Sequence, residues 1–261
     1  MLEQFGSRTI SLLEQVGEVA RFGGRTFVAA LRPPLELQEI MRQLLSVGFR
    51  SMPLIAAAGL AVGAVLSMHT RASLERFGAE SLIPAGLAIA LVRETGPLTT
   101  GLLFSGRVGA GIGAELGGMR VTEQIDALES LAVDSFKYLV VTRVIACMIA
   151  MPILTTLMNF MGIIGGFVAE TAISGMSFAL YFDRAFSSIR FVDYIPSTLK
   201  TMVFGFLVGT IASYLGYHAR GGSEGVGRAS TSSVVLSSII LIVTNVILVK
   251  AIFFVFPEAG Q

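Results

Sequence analysis

Residues 107–138 read RVGAGIGAELGGMRVTEQIDALESLAVDSFKY, a charged, helix-prone segment that lies between two strongly hydrophobic runs. As a helix from about Gly113, the segment places polar side chains on one stripe, because residues three and four apart share a face. The stripe holds Glu115, Met119, Thr122, Asp126 and Glu129, and the opposite face Leu116, Val121, Ile125, Leu128 and Leu131. This pattern is typical of a helix that lies along a membrane surface and presents acidic groups to a partner in water. An ordinary solvated loop helix has the same spacing, so both interpretations stay open at this point.

The composition indicates an integral membrane protein. Of the 261 residues, 53% are hydrophobic and only 14% are charged, and the mean hydropathy is +0.75. So few charges are too few to cover a water-soluble globule of this size. The net charge of +1 argues against nucleic-acid binding, which needs a clustered basic surface. The lone Cys147 excludes an internal disulfide and a cysteine metal cluster.

Five apolar runs are each long enough to cross a bilayer, since about 20 helical residues span about 30 Å of hydrocarbon. They are residues 51–70, 82–106, 139–169, 195–217 and 232–256. We therefore predict an all-α integral membrane protein with five transmembrane helices. The helix of the 107–138 segment lies between the second and third spans, and one membrane domain covers residues 51–256.

Residues 1–50 have a different, amphipathic pattern. In a helix over residues 2–27, one side carries Phe5, Leu12, Val16, Val19, Ala20 and Phe27 and the other Glu14, Glu18, Arg21 and Arg25. Pro33 and Pro34 interrupt the pattern, because proline lacks the amide proton and clashes with the preceding turn. The pattern resumes over residues 35–50. We predict an amphipathic elbow over residues 1–50 that lies in the membrane interface before the first span.

The basic residues predict an orientation. One side of the predicted spans collects Arg8, Arg21, Arg25, Arg32, Arg42, Arg50, Arg107, Arg120, Lys137, Arg143, Arg220 and Arg228, and the other side Arg71, Arg76, Arg184 and Arg190. Because basic flanks stay in the cytoplasm, we expect the N-terminus and the 107–138 helix to be cytoplasmic. With five spans, the C-terminus then lies on the opposite side of the membrane.

Two pairs of glycines at spacing four lie inside predicted spans, Gly59 with Gly63 and Gly205 with Gly209. In lipid, such pairs let helix backbones approach closely and pack without a hydrophobic driving force. A chain with 29 glycines also contains such pairs by chance. We expect these four residues to lie at contacts between helices.

Arg93 and Glu94 interrupt the second predicted span in the stretch LVRETGPL. A charge at the bilayer centre costs about 2.5–3.5 kcal/mol on insertion scales, so such residues usually face a cavity or a partner. One interpretation is that at least one of them lines a polar pocket or a seam between two protomers. The other is a structural ion pair with Lys200 or Lys250.

Further polar residues lie within the spans. Thr95 and Thr99 extend the polar surface beside Glu94, and Pro97 is expected to open the helix there. Asn159 and Asn245 lie inside the third and fifth spans, where an amide more often bonds to a neighbouring helix than to a substrate. We expect both asparagines to be structural.

The enzyme classes have little support. Ser105 and His218 are the nearest candidates for the nucleophile and base of an intramembrane hydrolase, but Ser105 lacks the glycine elbow that such a serine needs. Residues 221–228, GGSEGVGR, lack the Lys and Ser or Thr of a phosphate-binding loop. No spacing indicates a metal site. Uphill transport would therefore draw on an ion gradient or on a separate ATPase, and an ion-coupled carrier with Arg93 and Glu94 as its relay is the alternative to an ATP-driven permease.

Two blocks of the sequence resemble a known family. Residues 91–134, LVRETGPLTTGLLFSGRVGAGIGAELGGMRVTEQIDALESLAVD, closely resemble the signature of the MlaE family of ABC transporter permeases, and GGSEGVGRAS at 221–230 resembles its second block. The likeness covers about residues 40–256. Thr95 stands where the family usually has leucine, and VDSFKY replaces the usual valine or isoleucine, aspartate, proline run, which leaves the branch of the family open.

The resemblance implies a five-span permease that is not itself an enzyme and binds no cofactor. It implies a homodimer, a cytoplasmic ABC ATPase that binds the ATP, and a periplasmic MCE-domain lipid-binding protein, in the inner membrane of a bacterium. Such complexes move phospholipids or related lipids between the inner and outer membranes.

The resemblance also implies roles for individual residues. The 107–138 helix corresponds to the coupling helix that docks in the ATPase, with Glu115, Met119, Arg120, Thr122, Glu123, Gln124 and Asp126 at the contact. Glu94 would lie at a lipid cavity between the two protomers, with Arg93, Thr95 and Thr99 beside it. The C-terminus would be periplasmic.

Overall fold

The computed structural model describes residues 17–33 and 35–255, and this part of the chain is helical without β-strands. Five helical runs are long and apolar enough to cross a membrane. They are Leu37–Phe77, Glu80–Val121, Phe136–Ser174, Phe191–Tyr217 and Gly222–Val255. The predicted all-α membrane fold with five spans is confirmed. Each run begins earlier than the apolar segment that predicted it, because the helices extend past the hydrocarbon-length portion of the sequence.

The α-helices follow one another along the chain with short connections. They are α1 (17–30), α2 (Leu37–Val47), α3 (Met52–Leu74), α4 (Ile83–Ala90), α5 (Gly96–Phe104), α6 (Ala110–Val121), α7 (Gln124–Ser130), α8 (Thr142–Ser174), α9 (Phe178–Ser187), α10 (Phe191–Tyr217) and α11 (Gly222–Val255). π-helical turns over Leu91–Thr95 and Ser105–Gly109 join α4, α5 and α6 into one run, and a third over Phe136–Val141 begins the run of α8. The first of these turns comes just before Pro97, whose missing amide proton removes a backbone hydrogen bond at the place where the sequence predicted an opening.

The bundle is built around α8, which packs mainly against α3 and α10. Side chains of α8 such as Met151, Leu154 and Met158 are fully buried with Phe104 and Phe204 in the main apolar core. In the most apolar stretch of the α8 run, 67% of the residues are buried, against 11% in α11. The helix α11 therefore lies at the edge of the bundle, with most of its apolar surface uncovered by this chain.

Glycine contacts hold the neighbours of α8 close to it. A Cβ on Gly59 would lie 2.8 Å from the backbone oxygen of Met158, and one on Gly63 would overlap the Gly162 carbonyl group. In α10, a Cβ on Gly205 would overlap the carbonyl group of Cys147, and one on Gly209 would lie 3.1 Å from the Val144 Cα. The prediction that both glycine pairs lie at helix contacts is confirmed.

The helix α1 packs against the bundle through a face to which the sequence assigned no contact, and the interfacial role predicted for its apolar side stays a prediction. Phe22 and Thr26 are buried, and the Phe22 ring makes edge contacts with Phe136 and Tyr214. Phe27, assigned to the apolar side, is 53% exposed. The tertiary contacts select a face that the helical period alone does not distinguish, because aromatic rings from α10 and the Phe136–Val141 turn lie on that side. The predicted residues Phe5, Leu12, Glu14, Val16 and Pro34 lie outside the described residues.

Two further helical segments differ from the expectation. The helix α9 follows the third span and packs on α4, with Tyr181 fully buried; no element was predicted there. The glycine-rich stretch 221–228 is not a loop, because α11 begins at Gly222. Gly221 and Gly222 take positive φ angles of 94° and 67° at the entry to this helix, a conformation that glycine adopts at no steric cost.

Gly63→Ala is expected to lower the free energy of unfolding by about 1–3 kcal/mol, because the new methyl group collides with the backbone of α8. Gly111→Ala is the matched control, since a Cβ at Gly111 meets nothing within 4 Å. Thermal unfolding in detergent is measured by labelling of Cys147, the single and buried cysteine, with a thiol-reactive fluorophore. Equal unfolding midpoints for the two variants would contradict the close contact.

Candidate functional site

Four charged side chains and one amide meet inside the bundle. Arg93 Nη2 lies 2.8 Å from Asp193 Oδ1, and Lys200 Nζ lies 2.9 Å from Glu94 Oε1. Lys200 Nζ also donates to the backbone oxygen of Arg93 at 2.9 Å, and Asn245 Nδ2 donates to Glu94 Oε2 at 3.0 Å. Arg93 and Glu94 therefore pair with separate residues of α10 and not with each other. We call Arg93, Glu94, Asp193, Lys200 and Asn245 the intramembrane cluster.

Three elements supply the intramembrane cluster. The π turn Leu91–Thr95 carries Arg93 and Glu94, and α11 contributes Asn245. Asp193 and Lys200 belong to α10 and are seven residues apart, which places them on one face of the helix. Lys200 was a predicted partner of the second span's charges, whereas Asp193 was not predicted. The seven-residue spacing of these two charges in a largely apolar helix is the signal that could have found it.

The intramembrane cluster is buried on one side and open on the other. The side chains of Asp193 and Lys200 are 4% and 2% exposed, whereas those of Arg93 and Glu94 are 29% and 42% exposed. Buried charges in lipid need partners, and α10 supplies them here. Glu94 keeps part of its carboxylate surface available for another molecule.

The space beside Glu94 within one chain is small. A cavity of about 20 Å³ is lined by Arg93, Glu94, Val192, Asp193, Ser197, Val249, Ile252 and Phe253. This volume has room for about one water molecule. Thr95 and Thr99 are half-buried and do not line this small cavity, and their predicted place at a cavity between two protomers stays a prediction. Lys250, the other predicted partner, is exposed.

The 107–138 segment is not the single helix from Gly113 that the spacing predicted. The helix α6 begins at Ala110, continues the second span and ends at Val121, and α7 begins at Gln124. Between them Glu123 takes a left-handed φ of 58°. A non-glycine residue in this region breaks the helix, so the stripe of polar side chains is divided between two helices. Of the opposite face, Leu116 and Ile125 are buried within the chain, whereas Leu131 is 75% exposed.

The acids of this segment are held by partners within the chain. Arg143 Nη2 lies 2.7 Å from Glu115 Oε1, and Arg120 Nη1 lies 2.6 Å from Asp126 Oδ1. Glu129 Oε1 accepts a hydrogen bond from Ser135 Oγ at 2.6 Å. This bond, together with one from the Tyr217 hydroxyl, holds the pKa of the exposed Glu129 carboxyl below its ordinary value. Glu129 is therefore a carboxylate at neutral pH.

The tip between α6 and α7 consists of exposed residues. Thr122, Glu123 and Gln124 are exposed, and Gln124 Nε2 donates to Thr122 Oγ1 at 3.0 Å. Met119 differs, because it is partly buried against the main core. Of the residues predicted to touch a partner, those at positions 122 to 124 are thus presented most directly.

Arg71 and Glu170 form another buried ion pair, between α3 and α8. Glu170 is fully buried, and its carboxylate also accepts a hydrogen bond from Ser174 Oγ at 3.0 Å. Arg71 Nη1 lies 3.6 Å from Glu80 Oε2 as well. Neither Arg71 nor Glu170 was singled out by the sequence, because each lies near a predicted span end where a charge is ordinary.

The serine proposed for a hydrolase has other partners. Ser105 Oγ donates to the backbone oxygen of Leu102 at 2.8 Å and lies 2.9 Å from Ser238 Oγ. His218 Nδ1 lies 2.9 Å from the backbone oxygen of Tyr214. Neither contact forms a nucleophile–base pair, so the hydrolase interpretation is not favoured.

The five spans and the charged cluster within them define a multi-pass membrane protein. A family model described as Permease MlaE matches residues 40–251. The chain belongs to the MlaE family of permeases, which confirms the resemblance.

Relatives cover nearly the whole chain. A "Probable ABC transporter permease protein" of Rickettsia bellii is 40% identical over 248 residues, or 95% of this chain and 96% of the relative. The "Intermembrane phospholipid transport system permease protein MlaE" of Haemophilus influenzae is 33% identical over 82% of each chain. "Protein TRIGALACTOSYLDIACYLGLYCEROL 1, chloroplastic" of Arabidopsis thaliana is 30% identical over 91% of this chain and 67% of the relative. These names favour an ABC transporter permease over an ion-coupled carrier.

Glu170→Gln is expected to lower the free energy of unfolding by about 3–5 kcal/mol, because it leaves the nearly buried Arg71 without its main counter-charge. Glu75→Gln, at an exposed position near the same end of α3, is the matched control. The thiol-labelling assay described above measures both. A loss below about 1 kcal/mol for Glu170→Gln would mean that water reaches this pair.

Proposed function

We propose that this chain is the transmembrane permease subunit of an ABC transporter that moves phospholipids or related lipids between the inner and outer membranes of a bacterium. The observation that carries the proposal is the intramembrane cluster, where a partly exposed carboxylate lies among apolar helices. A phospholipid is amphipathic, so its binding place needs polar groups beside apolar surface. The name of the Haemophilus influenzae relative, an intermembrane phospholipid transport permease, supports the substrate class.

We further propose that two copies of the chain form the lipid cavity between them. A space of about 20 Å³ beside Glu94 is too small for a lipid, so a second chain is needed to enclose one. The helix α11 supports this arrangement. It borders the small cavity through Val249 and Ile252, and its apolar residues Val235, Ile239, Val243, Val246 and Ile247 are 55–66% exposed. In this proposal Arg93, Glu94, Thr95 and Thr99 face the cavity of the homodimer.

A separate cytoplasmic ATPase supplies the energy in this proposal. Its docking surface is the tip between α6 and α7, with Thr122, Glu123 and Gln124 at the centre and Glu115, Met119, Arg120 and Asp126 around it. The tip is suited to transmit force, because α6 continues without interruption into the span that carries Glu94. ATP is bound by the partner and not by this chain.

The proposed topology follows the basic flanks of the spans. The N-terminus and the α6–α7 tip face the cytoplasm, and the C-terminus faces the periplasm, where an MCE-domain lipid-binding protein docks. Residues 1–50 form the interfacial elbow and residues 51–256 the permease domain in the inner membrane. The exposed apolar residues Leu37, Met41, Leu45 and Phe49 support the elbow, since their spacing of four gives one stripe that suits lipid.

Glu94→Gln is expected to reduce lipid retention and ATP-driven lipid transfer by about tenfold, because it removes a charge from the cavity but keeps the side-chain volume. Assembly should persist, since the new amide oxygen still accepts from Lys200, which also keeps its bond to the Arg93 carbonyl. Retained lipids are measured by mass spectrometry of the purified complex, and transfer by fluorescent lipid in proteoliposomes. If Glu94→Gln lowers the yield of the complex but each assembled complex transfers lipid normally, Glu94 has a structural role instead.

Glu123→Lys is expected to reduce co-purification of the ATPase and transport-coupled ATP hydrolysis by tenfold or more, because it reverses the charge at the docking tip. Glu123→Gln is the matched control, since it keeps an unbranched side chain at the same left-handed φ and removes only the charge. Its effect should be intermediate. If both variants couple as well as the unchanged chain, the tip does not dock the ATPase.

A further inference from the structure

A second polar cavity lies away from the intramembrane cluster, between α2, the end of α6 and the beginning of the α8 run. Its volume is about 650 Å³, and it opens to the surface. The lining residues are Glu39, Arg42, Gln43, Leu45, Ser46, Phe49, Arg50, Glu115, Met119, Tyr138, Leu139 and Arg143. We call it the α2 cavity. Glu94 and Glu115 lie 21 residues apart in one helical run, so about 30 Å separate the two sites along the axis.

Arg143 is the buried cation of the α2 cavity. The residue is 2% exposed, its Nη1 donates to the Leu139 carbonyl at 2.8 Å, and its Nη2 is paired with Glu115. Its Nε is buried without a hydrogen-bond partner in the described part of the chain. An unpartnered polar atom at such a depth calls for an explanation, such as an acceptor that this chain does not itself supply. Arg143 lines the α2 cavity, so a ligand there lies beside this guanidinium.

The α2 cavity carries a surplus of one positive charge. Its lining holds three arginines and two glutamates. Arg42 is paired with Glu39, at 3.4 Å, and Arg143 with Glu115. Arg50 has no acidic partner among the described residues. One monoanion with several acceptor oxygens would therefore balance the charge and use the free donors of Arg50 and Arg143.

The apolar neighbours of the α2 cavity indicate where that anion comes from. Leu45 and Phe49 line it and are 62% and 68% exposed. They end the stripe that begins at Leu37, on a helix that leads directly into the first span. This stripe places the mouth of the cavity at the level of the lipid headgroups, with acyl chains alongside. Basic pockets between helices on the cytoplasmic side of a membrane are suited to anionic headgroups.

We propose that the α2 cavity binds the phosphate of an anionic phospholipid from the surrounding leaflet, through Arg50 and Arg143. The lipid is a resident ligand and not the transported one. It contacts both the interfacial helix and the base of α6, so it joins the elbow to the helix that ends at the proposed ATPase-docking tip. The proposal rests on the interfacial placement of α2 in the proposed function but not on the lipid-transport step.

The test uses the complex of the permease with its ATPase, purified in detergent and exposed to mixed micelles of phosphatidylglycerol and phosphatidylcholine. Native mass spectrometry measures the lipids that remain bound. The unchanged chain is expected to retain phosphatidylglycerol in preference, and Arg50→Gln to weaken that retention about tenfold. Arg228→Gln is the matched control, because Arg228 is an exposed arginine paired only with Glu224 and does not line the cavity. Glu94→Gln should lower the lipid held in the transport cavity and leave the phosphatidylglycerol that Arg50→Gln removes, which separates the two sites.

A second variant acts in the opposite direction and guards against simple misfolding. Glu39→Gln removes one acid from the α2 cavity, leaves only the exposed Arg42 without its partner, and is expected to increase phosphatidylglycerol retention. Unchanged retention in both Arg50→Gln and Glu39→Gln overturns the proposal. Displacement of the lipid by inorganic phosphate at equal concentration overturns it in favour of a free-anion site. Loss of ATPase co-purification in Arg50→Gln with unchanged lipid retention overturns it in favour of a contact with the ATPase.

Discussion

Where α3 crosses α8, the backbones of Gly63 and Gly162 meet with no side chain between them. Lipid provides no hydrophobic drive for such a contact, so its stability comes from the large surface that two closely apposed helices share. With α3 and α10 both held against it by glycines, α8 is fixed on two sides. Every charged group that α8 carries then has a defined position, and the neighbouring helices must supply the matching charge.

Charged side chains pair at three depths in the bundle. Arg71 and Glu170 pair near one end of α8, and Arg143 and Glu115 pair near the other. Between them, the intramembrane cluster joins the second span to α10 and α11. Sliding α3, α8, α10 or the second span by one turn would break at least one of these pairs, and a charge left alone in hydrocarbon is costly. The pairs therefore specify the relative depth of the helices more than they add to stability.

Much of the fold could be predicted from the sequence, because the length of an apolar run and the spacing of glycines are local properties. The spans, the glycine contacts, the Glu94–Lys200 pair and the family were all accessible in this way. The break at Glu123 was not, because no glycine or proline marks it and a positive φ is uncommon for glutamate. Asp193 was missed because its role depends on which face of α10 meets the second span. The docking and lipid-binding roles of the predicted site residues stay predictions, since they concern surfaces that other molecules would cover.

The π turns of the second span determine where the helix tolerates a one-residue deletion. Each such turn accommodates one residue more than an α-helix would, and one residue corresponds to a rotation of about 100° about the axis. The turn Ser105–Gly109 lies between the helix near the intramembrane cluster and α6. Deletion of a single codon there removes the extra residue and leaves the two flanking α-helices in register. A single-codon deletion in the regular helix between Ala110 and Glu115 would instead rotate Glu115 by about 100° and turn it away from Arg143, although no contacting residue had been replaced. The second span is therefore constrained in its length as well as in its composition, and the π turn is the place where it tolerates one residue fewer.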